Sequence, residues 1–316
     1  MENEQDFEKV VLEVFQFQAK NVPVYREYLK LLNREASSIQ SIFEIPFLPI
    51  SFFKTHKVLA EGYSPELFFQ SSGTTSANSS KHWVANPDWY EKSFIKGFYN
   101  YTEGEDRCIL ALLPNYLERG NSSLVYMVNG LIEKSTDPDS GFFLDNLNEL
   151  VSILKRREES GQKTLLLGVT YALLDLIDIL PFKLKNTWVM ETGGMKGRRK
   201  EMVKEELHEL LQDGLGVSAI HSEYGMTELF SQAYSKGNNL FSTPPWMSIL
   251  IRDTTDPFSY VDERKSGAIN VIDLANYYSC SFIATDDLGK LKSKTEFEVL
   301  GRFDNADVRG CNLMVQ

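Results

Sequence analysis

The first part of the chain carries apolar residues at helical spacing. Those between Phe7 and Phe15 recur at i, i+3, i+4, i+7 and i+8, which predicts a helix with one buried face. A second helix is predicted over residues 25–32. The apolar segment 45–53 contains two prolines, which favours extended, packed coil over regular helix. We expect this segment to lie across the core.

From residue 107 onward, two types of pattern alternate. Uninterrupted apolar runs predict buried strands, and runs with helical spacing predict helices between them. The predicted strands are 108–114, 141–144, 164–169 and 187–194, and the predicted helices are 121–132, 147–161, 171–180 and a charged helix through Val203 and Leu211. Asn121 is the expected cap of the first of these helices. This alternation implies a parallel sheet covered on both faces, which binds ligands at the carboxyl ends of its strands.

The pattern changes after residue 245, where helical spacing fades. Four short apolar segments joined by polar turns then predict strands, namely MSILIR, GAINVIDL, CSFIATDDLG and FEVLGR. The sequence therefore predicts an α/β fold with a largely parallel sheet and flanking helices, plus a smaller C-terminal β subdomain. Because no flexible linker is visible, we expect any boundary near residue 245 to be tightly packed.

Composition and charge narrow the classes of function. The 316 residues are 42% hydrophobic and carry 33 basic against 44 acidic side chains, a net charge of −11. A net negative charge argues against nucleic acid as the main partner, because binding its phosphates requires a basic surface. We expect no membrane span and no secretion signal, because the sequence has neither pattern. Three cysteines without disulfide-framework or metal-site spacing favour a reducing cytoplasm.

The first candidate site is a hydroxyl-rich loop that follows an apolar run. It consists of Ser71, Ser72, Gly73, Thr74 and Thr75. Hydroxyl groups and exposed amides can hold phosphate oxygens, so the loop is a candidate phosphate site. An ordinary polar turn has the same composition, and the loop does not have the spacing of a Walker motif.

The second candidate site lies at the end of a predicted strand. Glu223, Tyr224, Thr227 and Glu228 place an aromatic ring, a hydroxyl and carboxylates within six positions. The ring can stack on a base, and Glu228 can supply an oxygen ligand to Mg²⁺. The alternative is a helix start, in which Thr227 and Glu228 only favour the first turn.

The third candidate site joins two segments of the predicted β part. Asp287 lies in TDDLG, and Arg302 and Asp304 lie in GRFD. A carboxylate accepts two hydrogen bonds from a ribose diol, and an arginine can reach phosphate or sugar oxygens. The alternative is a DDLG turn with a surface ion pair.

Taken in chain order, these segments resemble the core motifs of one superfamily. SSGTTS, TGG, EYGMTE, TDDLG and GRFDNADVRG are similar to the sequential motifs of adenylate-forming enzymes, which include acyl-CoA synthetases, luciferases and peptide-synthetase adenylation domains. Within that superfamily, IPFLPISFFKTH and RGCN look like the acyl-protein synthetase component of bacterial bioluminescence fatty-acid reductases. The next likeness is to phenylacetate-CoA ligases.

The resemblance implies a site for ATP and Mg²⁺. The loop from Ser71 to Thr75 would wrap the ATP phosphates, with Lys81 as a neighbour. Thr227 and Glu228 would meet the triphosphate and the metal ion. Residues from three segments would hold the nucleoside or the hinge: Gly193, Gly194, Glu223 and Tyr224 around the adenine, Asp287 and Arg302 at the ribose, and Asp304 at the hinge.

The end of the sequence departs from the full-length pattern of the superfamily. Full-length members carry roughly a hundred further residues with a catalytic lysine, a domain-sized module. The resemblance implies that acyl-protein synthetases keep the core alone and pass the acyl group to a cysteine near the C-terminus, where Cys311 stands here. A thiolate can attack a mixed anhydride and conserve the acyl group as a thioester. The alternative is that Cys311 is a small packed residue.

These implications assign 1–245 to an α/β adenylation core, 246–300 to its β subdomain and 301–316 to a truncated hinge and tail. We expect ATP-dependent activation of a carboxylic acid, of the fatty-acid class, and transfer of the acyl group to a protein thiol. Thr227 and Cys311 are the expected catalytic residues. The acceptor could be Cys311, a partner's cysteine, or the pantetheine arm of CoA or a carrier protein. The rivals are an acyl- or aryl-CoA ligase and a silent nucleotide-binding subunit that scaffolds a partner.

Overall fold

A computed structural model describes residues 4–71, 79–114, 120–192, 202–262 and 264–302 of the chain. The helices are α1 (Glu4–Asn21), α2 (Pro23–Leu31), α3 (Phe52–Thr55), α4 (Pro87–Tyr101), α5 (Ser123–Lys134), α6 (Leu147–Ser160), α7 (Thr170–Ile177) and α8 (Lys204–Leu215). The strands are β1 (Leu48–Pro49), β2 (Leu67–Gln70), β3 (Lys81–Val84), β4 (Cys108–Leu112), β5 (Gly141–Phe142), β6 (Thr164–Val169), β7 (Thr187–Thr192), β8 (Ile220–Tyr224), β9 (Ala233–Ser235), β10 (Leu240–Ser242), β11 (Met247–Arg252), β12 (Ser266–Asp273), β13 (Phe282–Leu291) and β14 (Glu296–Arg302).

The chain divides into two compact units. Unit 1 contains residues 1–67, 75–86 and 243–316, and unit 2 contains residues 68–74 and 87–242. The strands that follow residue 245 therefore share a unit with the amino-terminal helices. Unit 2 is nearly continuous in sequence, whereas unit 1 is assembled from segments at both ends of the chain.

Unit 2 contains the parallel sheet that the alternating pattern predicts. Its strand order is β5-β4-β6-β7-β8-β9-β10. The first five of these strands are parallel to one another. Strand β9 pairs antiparallel to β8, and β10 pairs antiparallel to β9. Every residue of β4 and β6 is buried, because both faces of the sheet are covered. The predicted α/β class is confirmed.

The ends of two helices in unit 2 show how the sequence sets element boundaries. The expected cap at Asn121 is wrong, because Ser122 is the N-cap of α5 and its hydroxyl oxygen accepts from Val125 N at 3.4 Å. Asn121 instead offers its backbone carbonyl to Gln70 N at 2.7 Å. Helix α6 ends where the sequence predicts, since Gly161 has φ 69 and takes the left-handed conformation that favours glycine.

Unit 1 is held together by pairing between distant parts of the sequence. Strands β11, β12, β13 and β14 form an antiparallel series, and the short strand β1 pairs parallel to β13. Gln18 of α1 is fully buried and donates through Nε2 to the carbonyl oxygens of Asn276 and Tyr277 at 3.0 and 2.9 Å. The apolar segment 45–53 thus contributes a strand and the start of the one-turn helix α3, in addition to coil.

Two features of the described chain were not visible in the pattern. Helix α4 is rich in aromatic residues and begins at Pro87, and β9 and β10 are only three residues long each. Among the described residues, no helix has the length and apolar character needed to cross a bilayer.

Gly168 of β6 offers a test of the packing between β4 and α7. A Cβ at this position would lie 2.9 Å from Leu112 Cβ and 3.0 Å from Leu173 Cγ. Gly168→Ala is therefore expected to lower the free energy of unfolding by about 1–3 kcal/mol, the usual effect of overpacking. Urea unfolding measures the change, and Glu159→Ala on the exposed surface of α6 is the control that should match wild type. Equal stability of the Gly168→Ala variant would contradict this account of the packing.

Candidate active site

The segment that follows β8 forms a tight, non-helical reversal. Strand β8 ends at Tyr224, and Thr227 and Glu228 lie in a turn closed by Leu229 N to Met226 O at 3.0 Å. The helix-start alternative is therefore wrong. The chain returns as β9, which pairs Ala233 with Tyr224. This reversal holds Thr227 and Glu228 at the carboxyl end of the parallel sheet, where such sheets bind ligands.

The side chains of this reversal are largely enclosed. Glu228 is 5% exposed and Tyr224 is 8% exposed. The Tyr224 ring packs edge-on against Phe241, with centroids 5.9 Å apart. A carboxylate held inside such a turn keeps a fixed position with respect to the sheet, as a metal ligand or phosphate contact requires.

On one face of the sheet, Glu223 pairs with Thr192 at the end of the neighbouring strand. Thr192 Oγ1 donates to Glu223 Oε2 at 2.7 Å. Glu223 is half-buried, and the partial removal of its carboxyl group from water raises its pKa to about 7. The Thr192 hydrogen bond and the Lys204 charge act in the opposite direction, whereas the charge of Glu191 adds to the rise. Glu223 therefore titrates near neutral pH.

On the opposite face, Glu191 is the centre of a buried polar cluster. Its Oε1 accepts from Ser222 Oγ at 2.9 Å and lies 3.1 Å from Lys204 Nζ and 3.6 Å from His208 Nε2. Burial acts to raise the pKa of Glu191, but the contacts with His208, Lys204 and Ser222 outweigh it and lower the pKa to about 2. Glu191 is therefore ionised, and it ties β7 and β8 to the start of α8.

The hydroxyl-rich loop is only partly described. Ser71 follows β2 in unit 2 and is half-buried, whereas Ser72, Gly73, Thr74 and Thr75 lie outside the described residues. Lys81 is exposed at the start of β3, in unit 1. The phosphate-binding role of this loop stays a prediction.

Unit 1 places Asp287 and Arg302 opposite one another. They are register partners in β13 and β14, and Arg302 Nε lies 3.7 Å from Asp287 Oδ1. The side chain of Asp287 is 15% exposed and that of Arg302 is 77% exposed. Of the alternative, the DDLG turn is wrong, because TDDLG lies inside the ten-residue strand β13, whereas the ion pair with the exposed Arg302 is present. A shielded carboxylate beside an exposed guanidinium can hold a diol and a neighbouring anionic oxygen.

Several predicted residues lie outside the described part of the chain. These are Gly193, Gly194, Asp304 and Cys311. The other two cysteines are described, and burial raises the pKa of Cys108 and of Cys280 to about 12. Neither of these thiols is suited to nucleophilic attack near neutral pH, since the thiolate is the reactive form.

The side chains near the reversal are suited to a magnesium ion whose other ligands are water and the phosphate oxygens of a substrate. Within the described ranges, no group of three or more His, Cys, Asp and Glu residues could hold a metal ion. Mg²⁺ commonly takes one or two protein carboxylates together with waters and phosphate oxygens. Glu228 next to Thr227 provides a donor set of that size.

Sequence reasoning missed the residues that surround Glu223. Glu191, Thr192, Ser222, Lys204 and His208 form contacts between β7, β8 and α8 that no single motif contains. One signal was present: Glu191 is an acidic residue directly after the apolar run WVM of a predicted buried strand. An acidic side chain in a buried strand needs partners, so Glu191 indicated a polar cluster.

Comparison with known proteins gives one family match. Residues 121–316 match the family model described as LuxE, acyl-protein synthetase. No curated protein matches the chain. The matched region contains the second and third candidate sites and Cys311.

Solved structures share the fold at low sequence identity. A 2-hydroxyisobutyryl-CoA ligase in complex with 2-HIB-AMP superposes with a TM-score of 0.70 at 13% identity, over 96% of this chain and 68% of that chain. ATP-bound MatB from Rhodopseudomonas palustris gives a TM-score of 0.55 at 17% identity, over 74% of this chain and 47% of that chain. The chain thus spans about two thirds of the first ligase and less than half of the second. These structures show a shared fold, and the family match confirms the expected likeness to acyl-protein synthetases.

The raised pKa of Glu223 predicts a pH dependence of stability. Between its ordinary value of 4.5 and about 7, the folded protein keeps a proton that the unfolded chain loses, so this group makes stability fall as pH rises through that window. Glu223→Gln removes the titration. The free energy of unfolding of the variant should therefore rise relative to wild type by on the order of 3 kcal/mol between pH 4.5 and 8.

Urea unfolding of both proteins at pH 5, 6, 7 and 8 measures this difference. Glu159→Gln, on the exposed surface of α6, should follow wild type at every pH. A constant difference between Glu223→Gln and wild type across the series would show that Glu223 titrates in its ordinary range.

Proposed function

The chain belongs to the LuxE family of acyl-protein synthetases, and from this premise we propose that it activates a carboxylic acid with ATP and passes the acyl group to a protein thiol. The observation that carries the proposal is the family match over residues 121–316, which includes the reversal after β8. The reversal supports it, because it fixes an enclosed carboxylate beside a hydroxyl at the ligand-binding edge of a parallel sheet.

In the first half-reaction, a carboxylate oxygen of the acid attacks the α-phosphorus of ATP. The new oxygen–phosphorus bond forms as the bond to pyrophosphate breaks, and the products are the acyl-adenylate and pyrophosphate. The protein's contribution is to hold the two reactants in line and to neutralise the charge that develops. Mg²⁺, when bound, supplies part of that neutralisation on the phosphate oxygens.

Each candidate residue has a role in this half-reaction. Glu228 would supply an oxygen ligand to the metal ion, and the hydroxyl of Thr227 would donate to the triphosphate. The Tyr224 ring, held by Phe241, offers a face to the adenine. The remaining roles follow the resemblance: Ser71 to Thr75 with Lys81 at the phosphates, Gly193, Gly194 and Glu223 around the adenine, Asp287 and Arg302 at the ribose, and Asp304 at the hinge.

In the second half-reaction, a thiolate attacks the carbonyl carbon of the acyl-adenylate. The carbon–sulfur bond forms, the bond to the phosphate oxygen breaks, and AMP leaves with the electron pair of that bond. We assign the thiol to Cys311, because Cys108 and Cys280 are buried and their pKa values are raised to about 12. The acid that fits the family is a fatty acid. CoA and a cysteine of a partner protein are the competing acceptors.

Acid-dependent exchange between ATP and pyrophosphate tests the first half-reaction. We expect wild type to catalyse exchange with at least one member of a panel of short, long-chain and aromatic acids. Glu228→Gln should lower kcat for exchange by about 10²- to 10³-fold, because it removes an anionic ligand from the site of developing charge. Glu159→Gln on α6 should keep the wild-type rate. Absence of exchange with every acid, despite measurable ATP binding, would support a silent nucleotide-binding subunit instead.

Covalent labelling tests the second half-reaction. Wild type incubated with ATP and the radiolabelled acid should retain label through denaturation and lose it on treatment with hydroxylamine, as a thioester does. Cys311→Ala should catalyse exchange but carry no label, since its thiol acts only after the adenylate has formed. Cys108→Ala is the matched control and should still be labelled. Label that persists in Cys311→Ala would exclude Cys311 as the acceptor.

A further inference from the structure

We infer that the side-chain pairs Thr192–Glu223 and Ser222–Glu191 form a clasp that positions the reversal after β8 for binding ATP. This inference rests on the proposed function, because it assigns a role in the same site. The name clasp refers below to these four residues. None of them is proposed to react. They act through the loop that carries Tyr224, Thr227 and Glu228.

The two pairs of the clasp lie on opposite faces of the sheet. Glu191 and Ser222 are register partners in β7 and β8, and Thr192 and Glu223 are the next residues along each strand. Because successive side chains of a strand point to opposite faces, one hydrogen bond is made above the sheet and the other below it. The donor–acceptor distances are 2.7 Å for Thr192 to Glu223 and 2.9 Å for Ser222 to Glu191. A slip of one residue between the strands would break both bonds.

The clasp lies at the carboxyl end of the described part of β7. Among the described residues, the last register pair of β7 and β8 is Glu191 with Ser222. The Thr192–Glu223 hydrogen bond joins the side chains of the next residue along each strand. Glu223 directly precedes Tyr224, which pairs with Ala233 of β9.

Glu223 also touches the reversal directly. A Cβ on Gly225 would lie 2.1 Å from Glu223 Oε1, far inside van der Waals contact. One carboxylate oxygen thus packs against the backbone of Gly225, while the other accepts the bond from Thr192. The position of the carboxylate therefore defines the path of the loop that leads to Thr227 and Glu228.

The second carboxylate extends the clasp to the next helix. Glu191 lies 3.1 Å from Lys204 and 3.6 Å from His208, both on the first turns of α8. Lys204 also lies 4.7 Å from the ring centroid of Phe241, which packs on Tyr224. Glu191 and Lys204 thus belong to the set of contacts that surrounds the Tyr224 ring.

Two enclosed carboxylates are a poor choice for stability alone. Ionised groups in such places are seldom more stabilising than apolar residues of the same volume, whereas they do favour one arrangement over others. The raised pKa of Glu223 shows that its enclosure carries such a cost. A positioning role accounts for the presence of two carboxylates at the same strand ends.

Variants of Thr192 separate positioning from stability. Thr192→Val has nearly the same shape without the hydroxyl, and Thr192→Ser keeps the hydroxyl. We expect Thr192→Val to weaken ATP binding and to lower kcat/KM for ATP in pyrophosphate exchange by about 10- to 100-fold, as small misplacements of reacting groups do. Thr192→Ser should stay within about threefold of wild type, and Ser222→Ala should behave like Thr192→Val.

The matched control is Tyr101→Phe. The Tyr101 hydroxyl lies 2.6 Å from His221 Nδ1, so this variant also loses a buried hydrogen bond to β8, but at a residue before the strand end. It should lower the urea midpoint as Thr192→Val does and leave the KM for ATP unchanged. Equal effects of the two variants on KM, or wild-type kinetics in both Thr192→Val and Ser222→Ala, would overturn the clasp.

The same variants keep the two proposals distinguishable. If wild type shows no exchange, the proposed activity fails, and the dissociation constant for ATP, measured by calorimetry, then decides the clasp. Weaker binding in Thr192→Val than in Thr192→Ser and Tyr101→Phe would support it, and equal binding would exclude it. If Thr192→Val does not fold, Ser222→Ala carries the comparison, since it removes the pair on the other face.

Discussion

The carboxyl ends of β7 and β8 must hold two glutamate carboxylates away from bulk water. Each carboxylate needs polar partners, and the surrounding structure supplies them: the Thr192 hydroxyl on one face, and the Ser222 hydroxyl and the Lys204 ammonium on the other, with the His208 ring 3.6 Å away. Satisfying them fixes the register of the strands, the start of α8 and the path of the chain at Gly225. The orientation of Tyr224 and the enclosed position of Glu228 follow from that path.

The opposite pKa shifts of the two glutamates follow from the same requirement. The contacts with His208, Lys204 and Ser222 stabilise the charge of Glu191 in spite of burial, so its pKa is lowered. Among the described residues, Glu223 accepts a hydrogen bond from the Thr192 hydroxyl, but burial dominates and raises its pKa to about 7. Similar side chains at adjacent strand ends therefore differ in charge at neutral pH. One anionic and one partly protonated carboxyl group therefore lie next to the reversal. A polyphosphate bound there would be repelled less than by two anionic carboxylates.

Much of the fold was predictable because the parallel strands are buried on both faces. Their uninterrupted apolar runs, such as TLLLGV, distinguish them from the helices between them. The position of Tyr224, Thr227 and Glu228 at a strand end was predictable as well, since Gly225 follows the predicted strand directly. The partner of Glu223 was not predictable. Thr192 is 31 residues away, and only the register of two strands brings them together.

Helix α4 was missed because its aromatic residues obscure the helical spacing, and unit 1 could not be inferred from the order of the sequence.

The composition of unit 1 has a consequence for how the protein is made. Gln18 bonds to residues 258 and 259 positions later, and β1 pairs with β13, so these contacts of the amino-terminal part form only when nearly the whole chain has been synthesised. Unit 2 consists almost entirely of residues 87–242 and has its strands close in sequence. Domains fold as their residues leave the ribosome, and contacts of long sequence separation form slowly. The parallel sheet is therefore expected to form first during translation, whereas α1 completes its packing only after residues 276 and 277 and β13 have emerged.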